Sequence, residues 1–202
     1  MTRDEVEVPQ RTSSPDATPD PLARQREGNA VTVTADYLGM PLEVSALDRE
    51  NLAYFGHCAD GVFRLQRCAE CGLLRYPPTT ACPWCASFAS TWDRVDGRGV
   101  VYSYSEVRHA IQPAFRAHLP YLLLLVELDV QRGQPTPDEA LRLNGNLVTA
   151  AGALAPAELV RGVGIGTRVR MVFTPVAPGL ALPQWAIDEA ATQPARPWRY
   201  PE

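Results

Sequence analysis

Apolar and polar side chains alternate, or apolar ones run unbroken, through five stretches of the chain: residues 100–109, 121–130, 141–150, 168–174 and 180–187. A period of two puts alternate side chains on opposite faces of a pleated strand, so five strands are predicted. The first is long and aromatic. The second holds four consecutive leucines, Leu122 to Leu125, which suits a strand covered on both faces. Asn144-Gly145-Asn146 interrupts the third as a bulge or bend, and Val169, Met171 and Phe173 give the fourth one apolar side. Pro183 cannot donate to a ladder and marks the fifth as an edge or a strand end. Between the third and fourth lies Pro156-Ala-Glu-Leu-Val160, with proline at a first helical position.

Upstream the period changes. Ser45 with Asp48 resembles a capping box, and Leu52, Phe55 and Ala59 then recur at helical spacing, so a short helix ending between Gly56 and Gly61 is predicted within a helical segment at residues 31–61. Cys58 on that helix fills a small apolar site, and His57 is a surface or cap residue. Residues 1–30 carry Pro9, Pro15, Pro19 and Pro21 among polar side chains, with almost nothing apolar to anchor them, and read as a disordered tail. No apolar h-region follows Met1-Thr-Arg, so this is not a secretory leader.

The alternating run Val62-Phe-Arg-Leu-Gln-Arg67 leads into Cys68-Ala-Glu-Cys71, and ten residues later comes Cys82-Pro-Trp-Cys85. Two residues between cysteines let a tight turn aim both sulfurs at one point, and two such turns complete a tetrahedral tetrathiolate site. Gly72 suits a turn needing positive φ after the first pair; Ala86 in the matching place is less comfortable. Disulfides fit poorly without a secretion signal, a redox pair needs only one such motif, and iron is the lesser metal for this spacing. The expected cofactor is one structural zinc per chain, held by Cys68, Cys71, Cys82 and Cys85 and closed to substrate because all four positions are protein. The fold class is therefore mainly β. A zinc ribbon of the rubredoxin type at residues 62–95 precedes a five-stranded OB-fold barrel at residues 96–188, the short helix lying between its third and fourth strands, with a C-terminal tail at residues 189–202. Residues 131–140 become a long loop between the second and third barrel strands, where barrels gain specificity.

Composition removes several chemistries. All 19 basic residues are arginine, so Schiff-base and phosphate-loop lysines are excluded. The net charge of -4, without a basic stripe, disfavours nucleic acid, although Tyr102 and Tyr104 could serve as stacking platforms in a single-strand-binding module. His57, His109 and His118 are the only histidines; an enzyme using His109 or His118 as base would need a partner motif that the sequence does not offer. The longest apolar run, residues 122–126, is far short of the roughly 20 needed to cross a bilayer, and a soluble cytoplasmic protein without membrane contact is expected.

The ordered set Leu65-Gln-Arg-Cys-Ala-Glu-Cys-Gly72, Cys82-Pro-Trp-Cys85, Gly97-Arg-Gly-Val-Val-Tyr-Ser103, Pro120-Tyr121 before Val126-Glu-Leu128, Leu141-Arg-Leu, Asn146-Leu-Val148 and Ile165-Gly166 before Val169 resembles the zinc-ribbon plus OB-fold family of unknown-function domains that accompany thiolase-type enzymes. That resemblance implies a non-catalytic accessory subunit. Its partner would be a thiolase or a lipid-transfer-type aldolase that cleaves steroid side chains, joined as a heterodimer or heterotetramer, with acyl-CoA at the shared site. Phe115, Pro120 and Tyr121, near the start of the second strand, could line an acyl chain or pantetheine. Trp198 and Tyr200 are costly to leave wet and are expected to dock on this domain or on the partner.

Overall fold

A computed structural model describes residues 32–201; the predicted 1–30 tail lies outside the described residues. The chain opens with a hairpin of β1 (Thr32–Tyr37) and β2 (Met40–Ser45), followed by α1 (Arg49–Ala59). The ribbon strands are β3 (Arg64–Cys68), β4 (Leu74–Arg75) and β5 (Ser90–Arg94), and the barrel strands are β6 (Arg98–Val107), β7 (Tyr121–Leu128), β8 (Arg142–Asn146), β9 (Arg168–Ala177) and β10 (Leu180–Ile187). A second helix, α2 (Ala157–Gly162), sits between β8 and β9, one residue beyond its predicted start, with Pro156 as N-cap.

The five barrel strands form one antiparallel ladder in the order β10-β9-β6-β7-β8. Its ends close on each other through a parallel bridge between Leu147 and Trp185, with the Val148 N–H donating to the Trp185 carbonyl at 2.8 Å. That closure makes the five-strand sheet an OB-fold barrel. Its core holds Val101, Leu122, Leu124, Val126, Leu143, Val169 and a fully buried Trp185. β10, with Pro183, is an end strand of the ladder, as the proline requires.

Three details differ from the expectations. The described part of the predicted 31–61 segment, from Thr32 on, is a hairpin followed by a helix, and the helix is capped by Asp48, whose carboxylate accepts from the Asn51 N–H at 3.1 Å, while Ser45 ends β2. Its buried residues are Tyr54 and Cys58, one turn apart, because those two face Phe63 and Leu65 in the main core. Asn144-Gly145-Asn146 is neither bulge nor bend: all three pair in unbroken register with β7. The glycine is there because a Cβ at residue 145 would come within 2.8 Å of the Trp185 ring. Register shifts fall instead in β10, between Leu180 and Ala181, and in β6, between Val101 and Ser103, where Tyr102 is turned outward. In β7, Leu122 and Leu124 are fully buried, but Leu123 is 40% exposed and Leu125 half-buried, so this chain covers one face of the leucine run and not both.

Besides the apolar core they share, ribbon and barrel are linked by a side chain that behaves as a strand. Gln131, buried in the short 3-10 turn after β7, accepts from the Leu74 N–H at 2.7 Å and donates to the Leu74 carbonyl at 3.0 Å. The loop beyond it is pinned as well. The Glu127 carboxylate accepts from the Gly133 N–H, and Arg142 donates to the Pro137 and Asp138 carbonyls. Residues 131–140 thus begin as a structural clasp, not as a free specificity loop.

Candidate functional site

The two Cys-x-x-Cys turns are built alike. Gly72 N donates to the Cys68 carbonyl and Ala86 N to the Cys82 carbonyl, with φ of +75° and +59° at Gly72 and Ala86. Both positions are left-handed, which alanine tolerates less well than glycine. β3 delivers Cys68, the turn before β4 delivers Cys71, and the second turn delivers Cys82 and Cys85. Their four sulfurs lie within 4.8 Å of one another, with Cys68 to Cys85 at 3.5 Å and Cys71 to Cys82 at 3.6 Å. A tetrahedral site with metal–sulfur bonds of about 2.3 Å places its sulfurs about 3.8 Å apart, so the donor set fits one ion.

Electrostatics points the same way. Backbone N–H groups, that of Cys71 foremost, hold the Cys68 thiol down at about 6. Burial raises the Cys82 thiol, but the Trp84 and Cys85 amides outweigh it and leave it lowered. At Cys71 and Cys85 the Leu73 and Ser87 amides act downward, yet burial and the neighbouring sulfurs win, and both thiols are raised, Cys85 to about 12. Two of the sulfurs ionise readily, and the other two resist because they would add like charge to the cluster; a bound cation removes that resistance.

Cys58 stands apart from this cluster. It is 1% exposed in the main core beside Tyr54, and burial pushes its thiol up to about 12. We expect Cys58→Ser to leave metal content unchanged while lowering stability by roughly 1–2 kcal/mol, because a hydroxyl replaces an apolar thiol in a dry site. Metal analysis and a melting curve check both halves.

The expected contact residues fall into two groups. Phe115 is 8% exposed, its ring 5.8 Å from that of Tyr37 and 5.2 Å from that of Tyr121. The hairpin that sequence reasoning missed buries it, so Phe115 is a packing residue; Tyr121 and Pro120 remain half-buried. Trp198 and Tyr200 belong to a C-terminal segment whose backbone docks on the barrel: Trp198 exchanges two hydrogen bonds with Ile165, and the Tyr200 N–H donates to the Tyr104 hydroxyl at 3.0 Å. Arg199 locks the segment, donating to the Val160 and Val163 carbonyls at the end of α2 and pairing with Glu106 at 2.5 Å. Both aromatic rings stay outside, 50% and 71% exposed, edge to face at 4.7 Å.

The tyrosines offered as stacking platforms are already engaged. The Arg142 guanidinium sits 3.6 Å from the Tyr102 ring centre, and Tyr104 carries Arg199 at 5.2 Å and the edge of Tyr200. His57 stacks edge-on against Trp92 at 5.2 Å, and His109 is exposed on the loop after β6. Among the described residues no helix is long and apolar enough to cross a membrane.

Ribbon, barrel and sulfur cluster together define a zinc-ribbon plus OB-fold protein, with four cysteines positioned to bind a metal ion. The chain belongs to the ChsH2 family: residues 55–90 match the ChsH2 rubredoxin-like zinc ribbon domain and residues 92–174 the ChsH2 C-terminal OB-fold domain. It is 34% identical to a chain of the solved Ltp2-ChsH2(DUF35) aldolase, over 70% of this chain and 97% of that one, with a TM-score of 0.54. It is also 37% identical over 140 residues to a probable enoyl-CoA hydratase alpha subunit of Thermomonospora curvata. The match takes in 68% of this chain and spans only 37% of that longer relative.

Proposed function

We propose that this chain is a non-catalytic accessory subunit that holds one structural zinc, docks on a lipid-transfer-type aldolase of the thiolase superfamily, and helps seat that partner's acyl-CoA substrate. The observation that carries the reading is the likeness to the aldolase complex subunit over nearly its whole length. The chemistry of the chain is consistent with it. Four thiolates around one ion leave no position for water or substrate, so the metal would hold the ribbon and perform no step. Carbon–carbon cleavage of a thioester needs a nucleophile or base beside an oxyanion site. The sulfurs that could attack are committed to the cluster, Cys58 is buried with its thiol raised, and the chain has no lysine. Trp198 and Tyr200, whose backbone is hydrogen-bonded to the barrel and whose rings are exposed, are the contacts this reading assigns to the partner or the acyl-CoA, with Tyr121 and Pro120 beside the hairpin as a second edge. The assembly would be a heterodimer or heterotetramer in the cytoplasm.

Mixing experiments test it. The purified chain should show no thiolase, aldolase or thioesterase turnover, whereas a thiolase-superfamily protein encoded beside it should co-purify with it and gain activity when the two are combined. Turnover by the chain alone, abolished by His109→Ala or His118→Ala, would move the chemistry into this subunit and sink the proposal.

A further inference from the structure

β6 and β9 meet at three register positions, and one of them sets Arg98 directly opposite Arg170. Like charges opposed across an antiparallel ladder repel. The backbone allows little escape. The Met171 N–H donates to the Gly97 carbonyl at 2.7 Å, and a Cβ on Gly97 would itself come within 2.7 Å of the Met171 Cβ, so the turn that carries Arg98 is pressed onto β9. A third guanidinium, Arg94 at the end of β5, lines the same cleft of about 570 Å³, whose apolar lining is Phe63, Val95, Met171 and Phe173. The size is ordinary for a small-molecule site.

Two carboxylates approach Arg98 directly, and a third, Asp129, paired with Arg168, also feels its charge. Asp188, 2% exposed, approaches Arg98 Nε at 3.5 Å, and Asp96, 75% exposed at the rim, approaches the same atom at 3.9 Å. They flank the Nε side of Arg98 and neutralise part of the charge, the Asp188 Oδ2 being buried without a hydrogen bond. Arg94 and Arg170 have no ion pair among the described residues. Three arginines thus share one cleft with two acids, one of them beneath the surface, and the excess positive charge surrounds an apolar wall.

We propose that this cleft is an anion site for a diphosphate ester of the nucleoside diphosphate type, its phosphate oxygens held between Arg98 and Arg170 and reached by Arg94, its organic part against Phe63, Met171 and Phe173. Planar guanidinium forks match phosphate oxygens two at a time, and a polyanion relieves the cross-strand repulsion that a monocarboxylate would only halve. The site is a property of the chain alone and does not depend on the accessory-subunit reading.

Calorimetric titration of the full chain with ADP, inorganic pyrophosphate and adenosine tests it, without any partner, so that failure here leaves the mixing experiment untouched. ADP should bind at least tenfold more tightly than adenosine and more tightly than pyrophosphate, and added salt should weaken ADP. Arg94→Gln with Arg170→Gln should weaken ADP at least tenfold at unchanged metal content, whereas Asp96→Asn, which removes the rim carboxylate, should tighten it several-fold. Adenosine binding as tightly as ADP, no saturable binding of either phosphate probe at millimolar concentration, or ADP affinity unaltered in the double variant would overturn the site. Should the double variant fail to fold, Asp96→Asn at its exposed position decides, and unchanged or weaker ADP binding there counts against the proposal. ADP binding no tighter than pyrophosphate would overturn the role given to the apolar wall.

Discussion

Cys82→Ser is expected to abolish metal binding and to unfold the ribbon. The reason is the small amount of structure the ribbon has without its ion. Its sheet, in the order β4-β3-β5, has only two register pairs between β4 and β3 and five between β3 and β5. The second cysteine turn contributes exposed Trp84 and Phe88 and a single buried apolar group, Cys82 itself. A structural zinc supplies an apparent binding free energy on the order of 10–16 kcal/mol near neutral pH, about the whole stability of an ordinary domain. Losing one of four sulfurs opens the closed donor shell, and with Cys71 and Cys85 resisting ionisation when no cation is bound, the remaining three cannot make good the lost bond. Because Leu65 and Leu74 belong to the same core as Leu124 and Trp185, the barrel's melting temperature should fall with the ribbon. Metal analysis of Cys82→Ser and Cys71→Ser, together with a strong chelator on the unaltered chain, should give the same metal-free, partly unfolded product. Release should quicken as pH falls and protons compete for the sulfurs. Full metal retention in either variant would refute the assignment.

What could be read in the sequence was whatever short-range chemistry dictates. Cys-x-x-Cys spacing aims two sulfurs by local turn geometry, and the left-handed φ at Gly72 and Ala86 follows from the same turn. Strand periods at residues 100–109, 121–130, 168–174 and 180–187 survive folding because each presents a row of side chains to one core. The hairpin at residues 32–45 carried a readable signal too, with Val33, Ala35 and Tyr37 alternating up to a Leu38-Gly39 turn of φ +59° and +84°. It was masked by Pro41 and by the proline-rich stretch just upstream. The helix register was undecidable locally, since Tyr54 and Phe55 are adjacent aromatics and only packing against Phe63 and Tyr76 selects Tyr54 as the buried one. Least legible were the long-range polar contacts. Nothing near Arg199 foretells that it caps α2, and nothing near Gln131 foretells a partner 57 residues upstream.

Gln131→Met should therefore be far more damaging than a change in a loop suggests. The amide of Gln131 gives Leu74 both its hydrogen bonds at that edge, at 2.7 and 3.0 Å, and Gln131 is 6% exposed while Leu74 is 1% exposed. Methionine matches the volume but offers neither donor nor acceptor, so two buried backbone groups lose their partners at about 1–3 kcal/mol each, or roughly 2–6 kcal/mol together. Water cannot readily replace the amide, because Leu74 lies inside the cluster with Leu65 and Leu128. The loss should be local in a diagnostic way. The Leu74 amide should exchange with solvent much faster, the ribbon should open at lower temperature than the barrel, and metal should remain bound because no sulfur has moved. Gln131→Glu separates geometry from polarity: its carboxylate still accepts from the Leu74 N–H but cannot donate to the carbonyl, and it adds a buried charge, so it should be no better than methionine. Deleting residues 131–140 should reproduce the Gln131→Met destabilisation. If instead Gln131→Met leaves the melting temperature and the Leu74 exchange rate unchanged, ribbon and barrel are held together by apolar packing alone, and the clasp has no energetic role.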